Sequence, residues 1–449
     1  MKSILRLALI LTAIAASSSL SGQSTPNPNW PRFRGPNGDG VAEDDPRLPL
    51  RWSRTQNLAW KTEIPGQGWS CPVVWDNRVF LTTVVSEKKT DKPKKGLYQG
   101  LGVRKPRSGR HAWQVYCLDL RSGDILWKRT VHAGEPAVPR HPKASYANET
   151  PATDGKRLYV LFGDLGLYCF DLDGKPLWSH KIEPKATLWD YGAAASPIVH
   201  EDRVIMVYDN QEESYIASYD AATGKQRWKR KRDEPSTWAT PYIWKNPLRT
   251  ELVVCGRNKN RAYDLQGNVL WEFNGLMSSL VIPSPFAKDG LLYLTSGYIG
   301  DPIRPVFAIK PGANGKWKLP ENPADDEHIE WYLRKGGPYN ASPIVYQGRY
   351  YTLFDRGFIS CHDAKTGQEI YGKTRFAPGA TFTASPWAYN GKLFCISEEG
   401  TTYVVEPGSR FQVLHQNKLD ELTIATPAIS QGRLLIRTYS SIYCFTNKP

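Results

Sequence analysis

The sequence predicts an all-β chain: an eight-bladed β-propeller of four-stranded antiparallel blades, its ring closed by pairing the N- and C-terminal strands. Three observations carry this. A small residue and a proline open an apolar run eight times, an acid–glycine–aromatic phrase recurs between those starts, and each end of the chain holds a strand without its partners. Composition agrees. Hydrophobic content of 40% supports a packed interior, sixteen Trp against three Met favour strands over helical bundles, and no long stretch has apolar residues at helical spacing.

Taken in order, the chain begins with Lys2 and Arg6 flanking an apolar run from Leu7 to Ala16, then small residues to Gly22. This is the pattern of a secretory signal peptide over 1–22, too short to span a bilayer permanently. An N-terminal extension covers 23–56, and a single propeller domain covers 57–449. The expected location is periplasmic or secreted and soluble, as a monomer.

The propeller opens with an orphan strand, NLAWKTEI (57–64), and ends with another, SIYCF (441–445). Joined, they complete an eighth blade and remove free edges. Between them the Pro-led starts are SCPVVW (70–75), ETPAT (149–153), ASPIV (195–199), ATPYIW (239–244), PSPFA (283–287), ASPIV (341–345), ASPWA (384–388) and ATPAI (425–429). Proline at the first position of a strand forfeits no ladder bond. Most starts lie 41 to 46 residues apart; the intervals Pro72–Pro151 and Pro285–Pro343 are longer, at 79 and 58 residues.

The interleaved phrase reads YCLDLRSGDILW (116–127), YCFDLDGKPLW (168–178), ASYDAATGKQRW (217–228), RAYDLQGNVLW (261–271), ISCHDAKTGQEIY (359–371) and, degraded, TYVVEPGSRFQVL (402–414). The acid ends a strand and caps a turn by accepting backbone N–H groups, glycine supplies a positive φ, and the aromatic on the returning strand covers the neighbouring unit. These acids are structural. Trp60, Trp127, Trp178, Trp228, Trp271 and Trp331 are assigned to docking between blades. Cys117, Cys169, Cys361 and Cys444 recur at equivalent places, so they point into successive local cores and are read as small buried hydrophobes rather than disulfide partners.

The phrase Asp220–Thr223–Gly224–Lys225–Trp228 resembles the tryptophan-docking motif of pyrroloquinoline quinone (PQQ)-type propellers, and the resemblance extends over all eight blades, about 57–446. The leading NWPRFRGPNGDG (29–40) resembles the N-terminal segment of exported PQQ-like repeat proteins. That superfamily holds quinoprotein alcohol dehydrogenases and the propeller subunit of the outer-membrane β-barrel assembly machinery, and the fold does not choose between them. A dehydrogenase, by this resemblance, implies an adjacent-cysteine disulfide, a Glu/Asn/Asp calcium site and an Asp base. The sequence has no adjacent cysteine pair. PQQ and calcium therefore enter only under the alternative of an unusual quinoprotein dehydrogenase; otherwise no cofactor and no metal are expected.

The net charge of +14 is concentrated between Ser86 and Arg110, with nine Lys or Arg against two acids. This basic insertion in the first blade reads as a solvated loop suited to anionic membrane or acidic polysaccharide, not to nucleic acid. GxSxG, P-loop and HExxH motifs are missing, and DLDG (171–174) is a turn without the downstream carboxylates of a calcium loop. No catalytic residue is assigned. The function expected is a non-catalytic binding or scaffold platform, serving cell-envelope or outer-membrane protein assembly; a cell-surface glycan-binding module is a further alternative. The partner would be an envelope protein, a peptide or a glycan. Loops before the Pro-led strands converge on the central mouth, and they carry Trp69, Trp189, Asp190, Tyr191, Trp238, Tyr339, Asn340 and Phe382. Their differing offsets suit a lined surface, where aromatic rings stack on sugars or hold peptide side chains.

Overall fold

The computed structural model describes residues 28–98 and 104–447; the proposed signal peptide lies outside the described residues. The described residues form eight sheets, and each is built in the order the repeat dictates. In blade 1 the Pro-led strand Val73–Trp75 pairs antiparallel with Arg78–Ser86, that strand with His111–Asp119, and the last with Ile125–Gly134. The same four-strand meander follows in blades 2 to 7. Blade 8 combines Ala428–Ser430, Arg433–Arg437 and Ser441–Phe445 with Leu58–Glu63 from the other end of the chain, with Trp60 opposite Cys444. The ring is closed as the orphan ends require.

The middle strands of each blade are buried on both faces, which is why they read as continuous apolar runs such as Arg157–Phe162. All seven cysteines are buried and free. The outer strands are exposed and rich in charge, as in Gln226–Lys231, QRWKRK, and such charge blunts an exposed edge. Val269–Phe273 is the outer strand of blade 4 and carries no Lys or Arg. It is covered instead by a fifth, parallel strand, Gly315–Trp317, supplied by the 311–330 insertion.

Blades are joined by the repeated phrase. Asp220 Oδ1 accepts from Ala222 N at 3.1 Å and Thr223 N at 2.9 Å, and Asp363 Oδ1 accepts in the same way from Lys365 N and Thr366 N. Arg227 first, and then Thr223, draw the Asp220 pKa down to about 2, so this cap is ionised. The tryptophan of one blade then seats on the turn of the next. Trp60 Nε1 donates to Leu120 O at 2.9 Å, Trp127 to Leu172 O at 3.0 Å, Trp178 to Ala221 O at 3.2 Å, Trp228 to Leu265 O at 3.0 Å and Trp331 to Ala364 O at 2.9 Å. Trp271 departs from this. Its Nε1 bonds Glu251 Oε2 within its own blade at 2.6 Å, and its ring meets Trp317, because the 311–330 insertion stands where the next blade's short turn would be.

Gly224 shows why the phrase needs glycine. Its φ is +73°, and a Cβ there would stand 2.6 Å from the Trp178 ring. Gly224→Ala is expected to cost roughly 2–4 kcal/mol. Gly348→Ala, at φ +70° in open space, is expected to cost only about 1–2 kcal/mol of backbone strain. Urea denaturation of both variants checks the difference, which isolates the ring contact.

Candidate functional site

The innermost strands start at the prolines, and side chains alternate along an extended backbone. The residue one before each proline therefore faces the axis, as does the residue three before. The first set forms a hydroxyl collar. Cys71 N donates to Thr150 Oγ1 at 3.0 Å, Thr150 N to Ser196 Oγ at 2.9 Å, and Ser196 N to Thr240 Oγ1 at 3.1 Å. Thr240 N continues to Ser284 Oγ, Ser284 N to Ser342 Oγ, Ser342 N to Ser385 Oγ and Ser385 N to Thr426 Oγ1, at 2.9–3.0 Å. Each hydroxyl thus binds one blade to the next. A hydroxyl that accepts one bond keeps its own O–H to donate. Cys71 is the one thiol in the collar; it sits beside Thr150 and Thr426, and burial pushes its pKa up.

Removing one collar hydroxyl orphans a buried backbone N–H. Ser342→Ala is expected to cost about 1–3 kcal/mol, while Cys71→Ser, which restores the residue type of the other blades, is expected to be neutral or stabilising. Denaturant midpoints of the two variants decide this.

Above the collar, all eight residues three before a proline line the same chamber, Trp69, Trp238 and Asn340 among them, and the enclosed volume is about 260 Å³. The chamber has a floor. Residues 28–54 cross the far end of the inner strands: Trp30 pairs with Val74, Pro31 O accepts from Thr153 N, Val41 bridges to Ala388, and Trp52 packs on Phe394 and Phe445. From this segment Phe33 reaches into the chamber. The N-terminal extension is therefore an integral part of the ring's core.

The chamber also has a roof, where the structure differs from a freely solvated insertion. Gly96, Leu97 and Tyr98 lie over it. Gly96 N donates to Glu398 Oε2 at 2.7 Å, Lys95 pairs with Glu399 at 2.6 Å, and Lys143 Nζ donates to Gly96 O at 2.9 Å. The insertion begins in blade 1 and is latched across the mouth onto blade 7. Tyr98, stacked on His141 with ring centroids 5.4 Å apart, adds a ring contact to these polar ones.

The charged groups at the chamber are satisfied internally. Lys143 Nζ and Glu398 Oε1 stand 2.5 Å apart, and Thr383 Oγ1 donates to the same oxygen at 2.6 Å. His141 Nδ1 accepts from Lys143 N at 3.1 Å, its Nε2 faces Tyr98 O at 3.3 Å, and burial lowers its pKa to about 4. The imidazole is neutral, with its proton on Nε2. Asp355 accepts from Tyr339 N and from the Asn340 backbone and amide, while burial raises its pKa to about 6.

Of the residues selected from sequence, Trp69, Tyr191, Trp238, Tyr339 and Asn340 converge on the chamber. The indoles of Trp69 and Trp238 are nearly buried, and each donates to a backbone carbonyl, of Lys143 and Gly192. They act as blade wedges as well as chamber wall. Trp189 and Asp190 lie outside the lining, in a turn with φ of +54° and +55°, where both accept hydrogen bonds from Arg104. Phe382 is wholly buried between Phe376 and Tyr403 and does not reach the mouth, whereas Tyr339, at the same offset of four from its proline, does. The collar hydroxyls, the floor residue Phe33 and the latch Lys143–Glu398 were not selected.

Residues 111–278 match the family model described as outer membrane protein assembly factor BamB. No curated protein sequence matches the chain. Among solved structures, BamB from Moraxella catarrhalis is similar at 12% identity and a TM-score of 0.53, over 78% of this chain and 98% of its own. A europium-containing methanol dehydrogenase is similar at 10% identity and 0.59, over 93% of this chain and 98% of its own. The quinohemoprotein alcohol dehydrogenase from Comamonas testosteroni gives 13% identity and 0.54, over 93% and 80%. The chain is an eight-bladed propeller similar in fold to these structures, with the match to the BamB family model running over residues 111–278, in blades 1 to 4.

Proposed function

We propose that this chain is an exported, non-catalytic binding platform of the cell envelope, with the axial chamber receiving a side chain or loop of a partner protein. The observation that carries this is the pairing inside the chamber. The carboxylate behind its wall, Glu398, is engaged by Lys143, Thr383 and Gly96, its histidine is held neutral, and what remains open to a ligand is aromatic wall and hydroxyl collar. Such a lining favours an uncharged or aromatic group over a charged one. The family match and the likeness to BamB support a role in protein binding; export rests on the N-terminal sequence pattern. No helix among the described residues is long and apolar enough to cross a membrane.

PQQ is a poor fit to these residues. It carries three carboxylates, whereas among the described residues the chamber offers one cation, Lys143, already paired with Glu398, and one cysteine, Cys71, with no cysteine adjacent to it in sequence. The hydroxyls and stacked rings favour a glycan as the second reading.

Calorimetric titration of the full chain with extended peptides from outer-membrane β-strands, and separately with neutral oligosaccharides, tests the proposal. Saturable peptide binding, weakened at least tenfold by the half-buried rim variant Tyr339→Ala, is expected. Oligosaccharide binding with that dependence would favour the glycan, and dye-coupled alcohol oxidation after incubation with PQQ and calcium would overturn the non-catalytic reading.

A further inference from the structure

A second cavity, of about 510 Å³, opens between blades 8 and 1, beside the mouth and distinct from the chamber. Its lining is mixed: beside the apolar Ile64, Val84 and Val85 it carries the basic Arg140, His111, Lys88 and Lys89, set against Gln67 and Ser440. The distribution of charge is unusual. Arg140 is only 6% exposed, yet its Nη2 bonds the neutral amide Oε1 of Gln67 at 2.8 Å. Arg107 Nη1 bonds the same oxygen at 3.2 Å. Two guanidinium groups thus converge on one uncharged acceptor, where a carboxylate would be expected to compensate them.

Among the described residues, none of Arg107, Arg140, Lys88, Lys89 or Lys92 forms an ion pair. Arg140 Nε and Nη1 and the buried His111 Nε2 have no hydrogen-bond partner. Lys88 Nζ reaches only Ser108 Oγ, and Lys92 stands over the Tyr439 ring. The acid that lines the cavity, Glu63, is exposed to water. Burial, and then repulsion from Arg107, lower the Arg140 pKa to about 9. Asp164 attracts Arg140 without forming an ion pair with it, and burial raises that carboxyl to about 7.

We propose that this cavity binds a phosphate-bearing ligand, its oxyanion compensating Arg140 and Arg107 and closed over by Lys88 and Lys89. The site explains why the basic insertion returns to this place: its first turn brings two lysines to a cavity whose buried wall already holds an arginine that lies over the Tyr146 ring and has no ion pair among the described residues. The volume exceeds that of a bare phosphate and leaves room for the group that bears it. The site stands independently of the axial chamber and of the binding reading given to it.

Inorganic phosphate is the first probe, titrated calorimetrically into the full chain at low ionic strength, with sodium chloride of equal ionic strength as control. Saturable phosphate binding is expected, weakened at least tenfold in the surface variant Lys88→Ala/Lys89→Ala and lost in Arg140→Gln. If Arg140→Gln fails to fold, the lysine variant alone decides. Vesicles containing phosphatidylglycerol separate the sources. Vesicle binding that phosphate displaces identifies a lipid headgroup, and phosphate binding without vesicle binding identifies a free phosphate ester. No phosphate binding above the chloride control, binding unchanged in the lysine variant, or vesicle binding that phosphate leaves intact would overturn the proposal.

Discussion

Deleting residues 440–449 is expected to leave no folded ring. Ser441–Phe445 pairs on one side with Arg433–Arg437 and on the other with Leu58–Glu63, and all five of its residues are buried. The deletion removes Ile442, Tyr443, Cys444 and Phe445 from the core and leaves strand edges unpaired on both sides of the gap. Burial of those side chains contributes roughly 6–10 kcal/mol, which is comparable to the whole stability of an ordinary domain. Far-ultraviolet circular dichroism in urea should show no cooperative transition, and the chain should aggregate. A truncated protein with an unchanged midpoint would refute closure by these two strands.

The second large effect belongs to the floor. Trp30, Leu48 and Trp52 are each about 2% exposed and share a core cluster with Trp387, Phe394 and Phe445. Deleting residues 28–54 is expected to destabilise the ring by roughly 5–9 kcal/mol, on the burial of three large apolar side chains. It also removes Arg34, which donates to Pro343 O and lies over Phe286 with its charge retained, its pKa lowered only to about 10 by burial. Urea unfolding of the full and shortened chains measures the loss. Equal midpoints would mean that the segment rests on the ring without supporting it.

The ring was legible in the sequence because its signals repeat. Eight proline starts and the Asp–Gly–Trp phrase each occur often enough to expose a period, and their chemistry is local: a cap, a turn, a docking ring. The chamber wall was legible only in part. Trp69 and Trp238 stand three residues before their prolines, where strand alternation turns them to the axis, but Tyr339 and Phe382 both stand four before and only Tyr339 lines the wall, so alternation places the tryptophans and not the tyrosine. The Ser or Thr before most of the prolines signalled the collar in the same way. Floor and roof follow no period. Phe33 reaches the axis through a segment seen once in the chain, and the basic insertion is positioned by Glu398, some three hundred residues away. Trp271 shows the converse, a legible repeat residue redirected by an insertion whose strand Gly315–Trp317 has no counterpart in other blades.

The existence of an axial chamber reached from the roof side is tested most directly at Cys71. It is the one cysteine that lines the chamber, whereas the other described cysteines are enclosed within blades. Native protein treated with a small thiol reagent, followed by mass spectrometry of the digested chain, gives the order in which the seven thiols react. The structure predicts that Cys71 reacts first, that Glu398→Gln, which weakens the latch on Gly96 and Lys143, accelerates it severalfold, and that the other six keep their slow rates. Labelling of Cys71 no faster than the other six, in both the native protein and Glu398→Gln, would contradict the chamber.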